Sequence, residues 1–163
     1  AQGPGAFSAL RVGMSTAKSI AAGRGIPLAA VSTMDVEVEP YLGLGDHIIG
    51  LIPAGRNRVY TGEYIKSRLT EIGFQVRSVS EVISCSLRDV IYCGEGVSYL
   101  LDTEYEDKVF LSVGCEGPTR RASFLSKLGF GRIESGDTDD PQSLEPIYVR
   151  STQITSADNS KRN

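Results

Sequence analysis

The stretch that decides the fold is "GPGAFSALRVGMSTAKSIAAGRGIPLAAVS", residues 3–32. Its apolar residues recur at spacings of three and four from Ala6 to Gly23, which predicts an amphipathic helix. Gly23 and Gly25 are expected to end it. The apolar run at 26–32 is typical of a short buried strand, and a helix followed by a strand indicates an α/β layer. The apolar stripe of the helix consists of Phe7, Leu10, Met14, Ala17 and Ala21.

The Gly3-Pro4-Gly5 turn directly precedes this helix. Backbone N–H groups at a helix start favour an anion, so the turn could hold a phosphate. It lacks the Lys-Ser/Thr pair and the third glycine of known phosphate loops, and proline has no amide hydrogen, so spacing alone favours a plain turn. Ser8 could face a ligand or only cap the first turn, and Arg11 could face a partner or solvent.

Small residues form a second face of the helix at Ala9, Gly13 and Thr16. A glycine inside a helix is about 1 kcal/mol less favourable than alanine. A compensating packing role is therefore expected, either within the fold or across an interface.

The remaining sequence alternates between further helices and strands. A short helix is predicted at 32–42, capped by Ser32 or Thr33 and ended or kinked at Pro40. The runs at 47–54 and 58–66, separated by "GRN", predict a hairpin. We further predict strands at 73–79 and 108–114, and over 90–97 a strand that runs into a glycine turn. Helices are predicted at 80–87, 97–105 and 119–129, the last with Gly129 as the stop, and extended chain at 146–154.

Composition excludes several classes of function. A net charge of −3 over 163 residues argues against nucleic-acid binding through the overall field of the chain. The apolar runs are far short of the ~20 residues that cross a bilayer, and a cytoplasmic protein is expected. The three cysteines have no C-x-x-C spacing, and the single histidine, His47, excludes a multi-histidine metal site.

Isolated acidic residues provide the other candidate chemistry. Glu95 in "CGEG" has no second acid at an evident pairing distance, so it is interpreted as part of a turn. Asp137, Asp139 and Asp140 could bind a divalent ion, but a solvated loop fits their spacing better. No nucleophile, base and orienting group come together, so the residues favour a scaffold over an enzyme, with no catalytic and no metal residues.

The opening stretch resembles the bacterial TsaB (YeaZ) family, whose members carry G-P-G-S-F-T-G-L-R-x-G before an apolar helix and then G-I-P-L-x-x-V-S-S/T. The runs "IPAGRNRVYTGEY" and "LEPIYVRSTQ" are similar to that family's middle hairpin and ending, so the resemblance extends to Thr155. The matching residues of the opening stretch are Gly3, Pro4, Gly5, Phe7, Leu10, Arg11, Gly13, Gly25, Ile26, Pro27, Leu28, Val31, Ser32 and Thr33.

The resemblance implies an actin-like ATPase (ribonuclease-H-like) fold with two α/β lobes. Residues 1–42 would belong to the first lobe, to which 144–155 return, 43–143 would form the second lobe, and 156–163 a disordered tail. Family members have a three-stranded meander, a helix and a strand before this motif. We therefore expect an incomplete first lobe, and either a fragment or shortened gene product or another subunit covering the helix.

The resemblance also implies a role in forming the threonylcarbamoyl group on adenosine 37 of tRNA. The expected role is that of a non-catalytic subunit that pairs with a TsaD-type transferase and forms a homodimer in isolation. It would associate with a TsaE-type ATPase through the complex and would contact tRNA only indirectly. No cofactor is expected on this chain alone, although ATP or ADP could lie at the partner interface. The alternative is an ATP-handling enzyme or an M22-type peptidase, the older glycoprotease label of the family.

Two sets of site residues follow from this interpretation. The family's Ser, Thr and Gly at the helix entrance are replaced here by Ala6, Ser8 and Ala9, and the Asp of its hairpin by Pro53, which argues against nucleotide contacts but not against a scaffold role. The predicted partner interface is Phe7, Ala9, Leu10, Arg11, Gly13, Met14, Thr16, Ala17 and Lys18. The predicted nucleotide-proximal loop is Gly3, Gly5 and Ser8.

Overall fold

A five-stranded sheet is the centre of the protein, whose computed structural model describes residues 1–85, 90–101, 111–113 and 119–149. The strand order is β3-β2-β1-β4-β5. The strands β1 to β3 are antiparallel neighbours, whereas β4 runs parallel to β1 and β5 parallel to β4. The strands are β1 His47–Gly55, β2 Arg58–Ile65, β3 Arg68–Ser78, β4 Ile91–Cys93 and β5 Leu111–Val113.

Five α-helices of the described residues accompany the sheet, which confirms the α/β class predicted from the sequence. Short 3₁₀ turns at Glu39–Tyr41 and Glu95–Val97 add to them. No helix among the described residues combines the length and the apolar character that crossing a membrane requires. The helices are α1 Phe7–Arg24, α2 Thr33–Val38, α3 Val79–Ser84, α4 Ser98–Leu101 and α5 Ala122–Glu134.

The predicted hairpin is confirmed by the pairing of β1 with β2. Arg56 and Asn57 connect the strands with φ angles of 50° and 58°. Two successive left-handed residues give a turn whose twist matches that of the paired strands. The composition of "GRN" predicted a hairpin, and of the two turn residues Asn57 is the type that readily takes a positive φ.

Helix α2 packs closely on one face of the sheet. Of the two N-caps that the sequence offers, the structure has Ser32, whose hydroxyl accepts a hydrogen bond from the Asp35 amide. Gly50 and Gly62 lie directly opposite each other in the hairpin. A Cβ atom at Gly50 would lie 2.7 Å from Met34 Sδ, and one at Gly62 would lie 2.7 Å from Met34 Cγ. The two glycines therefore form a notch, the Gly50–Gly62 notch, that receives the fully buried Met34.

The opposite face of the sheet carries α3 and α4. A capping box at Ser78 and Glu81 starts α3, because each side chain accepts a hydrogen bond from the other residue's backbone N–H. A hydrophobic core cluster lies between these helices and the sheet. It consists of Leu51, Val59, Val79, Val82, Ile83, Val90, Tyr92, Val97 and Leu100.

Helix α1 is anchored differently from α2. Its backbone ends at Gly25, which takes a left-handed conformation with φ 61°, as predicted, while Gly23 lies inside the helix. Only Met14 and Ala21 of its side chains are buried. Lys18 Nζ donates a hydrogen bond to the Leu144 carbonyl at 2.8 Å, so the segment after α5 runs beside α1.

Two predictions about regular structure are wrong. Residues 26–32 form no strand, because their backbone hydrogen bonds go to separate partners: Gln2 N donates to Val31 O, Asp139 N to Leu28 O, and Ala30 N to the Asp139 carboxylate. Gly129 does not stop α5, which continues to Glu134. The left-handed residue that follows this helix is Gly136, with φ 76°.

Other elements differ in extent from their predictions. Strand β3 begins at Arg68 rather than at 73, and the 3₁₀ turn at Glu39–Tyr41 contains the predicted Pro40 break. Residues 146–149 form no regular element. The predictions for 86–87, 102–105, 108–110, 114 and 150–163 lie outside the described residues.

Candidate partner interface

The outward face of α1 combines small residues with two exposed aliphatic side chains. Val12 and Ile20 are 68% and 51% exposed, and a Cβ atom at Gly13 would meet no atom within 4 Å. Ala9 and Thr16 are exposed beside them, and the Thr16 hydroxyl donates to the Val12 carbonyl at 2.9 Å. Since that hydroxyl is satisfied inside the helix, the face presents mainly carbon atoms. We call Ala9, Val12, Gly13, Thr16 and Ile20 the α1 outer face.

An aromatic group lies at the start of α1. The Arg11 guanidinium stacks 3.9 Å from the centre of the Phe7 ring, and its Nε donates to the Tyr148 hydroxyl at 2.9 Å. The Phe7 and Tyr148 rings are 5.3 Å apart. Arg11 is therefore held against aromatic rings of its own chain, and Phe7 remains 54% exposed.

The predicted interface residues divide into two groups. Ala9, Gly13, Thr16 and Ala17 are exposed, and the first three lie on the α1 outer face. Met14 is buried, Leu10 is half-buried, and Lys18 donates to the Leu144 and Gln142 carbonyls. Arg11 and Lys18 thus contact the 142–148 segment. Sequence spacing identified the small residues but not Val12 and Ile20, which lie off the stripe.

The Gly3-Pro4-Gly5 turn packs between the start of α2 and the chain near Ile147. Gly3 N donates to Thr33 Oγ1 at 3.1 Å, and Thr33 N donates to Gly3 O at 2.7 Å. Gly3 has φ 108°, and a Cβ atom there would lie 2.8 Å from Ile147 O, so only glycine fits. The Gly3 amide is consequently engaged inside the protein.

The other two loop residues border open space. Gly5 is half-buried, and Ser8 is exposed in the first turn of α1. Ala6 is the N-cap of α1, so no side chain caps this helix. One cavity of about 410 Å³ runs along Gly5, Ala9 and Gly13, and another of about 450 Å³ lies between Gly5 and the hairpin tip at Gly55.

A buried carboxylate that sequence reasoning missed lies near the first cavity. Glu37 is fully buried, and its Oε1 accepts a hydrogen bond from the Glu95 amide at 2.5 Å. Arg120 Nε lies 3.6 Å from Glu37 Oε2, and Arg120 also pairs with the Glu95 carboxylate. Burial raises the pKa of Glu37, while Thr119, the Glu95 amide and Arg120 oppose that rise.

This Glu37 cluster joins α2, the turn after β4 and the chain before α5. A Cβ atom at Gly94 would lie 2.7 Å from Glu37 Cγ, so a larger residue at position 94 would clash with the Glu37 side chain. The available signal was the position of Glu37 beside the apolar Met34 and Val38 of α2. Its partner Glu95 is 58 positions away, and no local pattern could have indicated it.

The other acidic and basic candidates are paired within the chain. His47 Nε2 lies 2.6 Å from Glu63 Oε1. Asp137 and Asp139 both accept hydrogen bonds from Arg132, and Asp140 accepts from the Gln142 and Ser143 amides. Within residues 1–85, 90–101, 111–113 and 119–149, no His, Cys, Asp and Glu residues group as metal ligands would.

The cysteines differ in accessibility. Cys85 is exposed, and Cys93 is buried in β4. Burial raises the pKa of Cys93 to about 12. Cys115 lies outside the described residues.

Comparison with known proteins identifies related chains. The family model for TsaD, tRNA N6-adenosine threonylcarbamoyltransferase, matches residues 1–103. The tRNA threonylcarbamoyladenosine biosynthesis protein TsaB of Bacillus subtilis (strain 168) is 29% identical across 92% of this chain and 67% of its own length.

Solved structures share the fold. YeaZ from Pseudomonas aeruginosa superposes with a TM-score of 0.72 at 20% identity, over 91% of this chain and 71% of that one. A crystal structure of a protein with similarity to peptidase YeaZ from Pseudomonas aeruginosa gives a TM-score of 0.66 at 21% identity, with the same shares covered.

Proposed function

We propose that this chain, which belongs to the TsaB/YeaZ proteins of the TsaD family, is a non-catalytic subunit that pairs with a TsaD-type transferase. It has the actin-like, ribonuclease-H-like fold of these proteins and takes part in tRNA threonylcarbamoyladenosine biosynthesis. The observation that carries this role is the α1 outer face. An α-helix of eighteen residues with two buried side chains leaves most of its surface available to a partner.

The α1 outer face has the chemistry of a helix-packing surface. Its small residues allow a second helix to approach to about 8–10 Å between axes, and Val12 and Ile20 would supply apolar area on either side. Burying apolar surface stabilises by about 25 cal/mol per Å². A Cβ atom at position 13 would meet no atom of the described residues within 4 Å, so a neighbouring helix would supply the compensation that this unfavourable glycine requires.

The aromatic group fits the rim of such an interface. Phe7, Arg11 and Tyr148 are residue types that often dominate binding energy, and stacking already holds the guanidinium in place. A held side chain loses less rotamer freedom on binding than a mobile one. A carboxylate of the partner would complete this group.

The lobe division extends the proposal. Residues 1–42 would form the first lobe together with 144–155, and 43–143 the second. Hydrogen bonds from Ile147 N to Gln2 O and from Lys18 Nζ to Leu144 O support the return of the chain to the first lobe. A TsaE-type ATPase would bind through the transferase, and this chain would contact tRNA only indirectly. In isolation the chain would form a homodimer.

The non-catalytic role rests on the side chains available for chemistry. The whole sequence has one histidine, and His47 is paired with Glu63. The Gly3 amide is used by Thr33, which reduces what the loop of Gly3, Gly5 and Ser8 could offer a nucleotide. ATP or ADP would accordingly be held at the partner interface.

Binding to a TsaD-type subunit from the same source tests the proposal. Gly13→Leu places a large side chain on the α1 outer face and is expected to weaken the complex at least tenfold, about 1.4 kcal/mol. Ser15→Leu is the matched control, because Ser15 is exposed on another side of the same helix. Titration calorimetry gives the affinities, and light scattering after size exclusion gives the assembly state.

Two results would contradict the proposal. If the unchanged chain does not bind the transferase subunit, or if both leucine variants bind equally well, α1 is not the interface. ATP hydrolysis by the purified chain that disappears in Ser8→Ala or Glu95→Gln would instead support the enzyme alternative.

A further inference from the structure

A cavity of about 570 Å³ lies between α2, the hairpin sheet and α5, apart from the α1 outer face. Much of its wall is apolar, with Val38 and Leu42 on the helical side, Leu69 and Phe74 on β3, and Leu128 on α5. Its volume lies within the range of about 300–1,000 Å³ that is common for small-molecule sites. The walls therefore suit the apolar body of a small ligand.

One carboxylate in this cavity has no cationic partner. Asp35 is half-buried in the wall, and its Oδ1 accepts a hydrogen bond from the Tyr64 hydroxyl at 2.6 Å. That phenol is neutral, since burial and the Asp35 charge raise the pKa of Tyr64 well above its ordinary value. Among the residues that the structure describes, Asp35 Oδ2 has no hydrogen-bond donor and Asp35 forms no ion pair.

The cations near the cavity are already neutralised. Arg132 lines it, but its guanidinium donates to both Asp137 and Asp139 and to the Ala30 carbonyl. Lys127 pairs with Glu39 at 2.7 Å. The charged residues of the lining are Asp35, Glu39 and Arg132, so the wall carries an excess of negative charge, and a ligand that enters would gain by supplying a positive group.

We propose that this cavity binds a small organic cation, an ammonium group on an apolar body, with the Asp35 carboxylate accepting the N–H and the apolar walls covering the carbon skeleton. Tyr64 positions the carboxylate by holding Oδ1, so that Oδ2 receives the ligand. A charged hydrogen bond of this kind is about twice as strong as a neutral one. A neutral or anionic molecule of the same shape would lack it.

Phenethylamine, 2-phenylethanol and phenylacetate are suitable probes, because they present the same ring with a positive, neutral or negative group. Titration calorimetry and protein-observed NMR on the full chain should detect the amine and show the other two at least about tenfold weaker. Asp35→Asn should weaken amine binding by about tenfold or more. Glu134→Gln, the same change at an exposed position of α5, should leave it unaltered.

Two further variants separate the site from the stability of the fold. Tyr64→Phe removes the hydroxyl that holds Oδ1 but not the carboxylate itself, so amine binding should weaken, but less than in Asp35→Asn. Leu69→Trp fills the cavity from a partly exposed position on β3 and should abolish it. Equal binding of the three probes, undiminished binding to Asp35→Asn, or no amine binding to the unchanged chain would each overturn the proposal.

Discussion

Helix α1 is three times as long as α2, but α2 is the more deeply buried of the two. Five of the six residues of α2 are buried, whereas two of the eighteen residues of α1 are. Helix α2 lies on the sheet through the Gly50–Gly62 notch, while α1 touches the rest of the chain mainly along one edge. The comparison shows that contacts with the sheet, rather than helix length, decide which helix holds the fold together.

The largest effect should come from removing the side chain that fits the notch. Met34 is fully buried, so Met34→Ala should lower the free energy of unfolding by about 2–5 kcal/mol. Val12→Ala, at 68% exposure on α1, should change it by less than about 0.5 kcal/mol. Urea unfolding of both variants measures the difference, and similar losses would invalidate the comparison.

A smaller loss is expected from filling the notch. In Gly62→Ala the new methyl group would lie 2.7 Å from Met34 Cγ, so α2 must shift, at about 1–3 kcal/mol. The penalty should shrink in a Met34→Ala background, which a double-mutant cycle measures. Gly131→Ala in α5 has no atom within 4 Å and should be neutral or stabilising. An undiminished penalty in the double variant would mean that Met34 is not the cause.

The buried carboxylate of α2 should give a pH-dependent effect. Burial raises the pKa of Glu37 above its ordinary value of 4.5, so the folded chain binds this proton more tightly than the unfolded chain. The free energy of unfolding should therefore fall as pH rises from 4.5 through the folded pKa, and then level off. Glu37→Gln should remove this dependence in urea midpoints measured across that range. Glu134→Gln controls for the charge change, and an unaltered slope in Glu37→Gln would refute the assignment.

The smallest effect should come from the edge of α1. Tyr148→Phe removes the hydroxyl that accepts the Arg11 Nε hydrogen bond but keeps the ring against Phe7. Because the pair is exposed, the expected loss is at most about 1 kcal/mol of unfolding free energy. Chemical denaturation measures it. A loss as large as that of Met34→Ala would show that α1 is anchored as firmly as α2.

Local features of this fold could be predicted from the sequence because their causes are local. The bounds of α1 follow from apolar spacing and from the left-handed Gly25, and the hairpin follows from the "GRN" turn. The Ser32 cap needs only the amide three residues on. Each of these signals lies within a few residues of the structure that it specifies.

Features that depend on distant partners could not be predicted. The apolar run at 26–32 resembles a strand, but among the described residues no strand lies beside it to pair with. The Glu37 cluster joins three segments that are far apart in the chain. For the candidate interface, spacing located the small residues of α1, whereas only the structure shows that Val12 and Ile20 extend the same face and that Arg11 is held by Tyr148.

The Gly50–Gly62 notch also has a consequence for how the hairpin assembles. A slip of one residue between β1 and β2 would separate the two glycines and present a Cβ atom under Met34. Misaligned hairpins would then be unable to accept α2, whereas the native alignment can. The packing of Met34 thus favours the native alignment of β1 and β2 over a misaligned one.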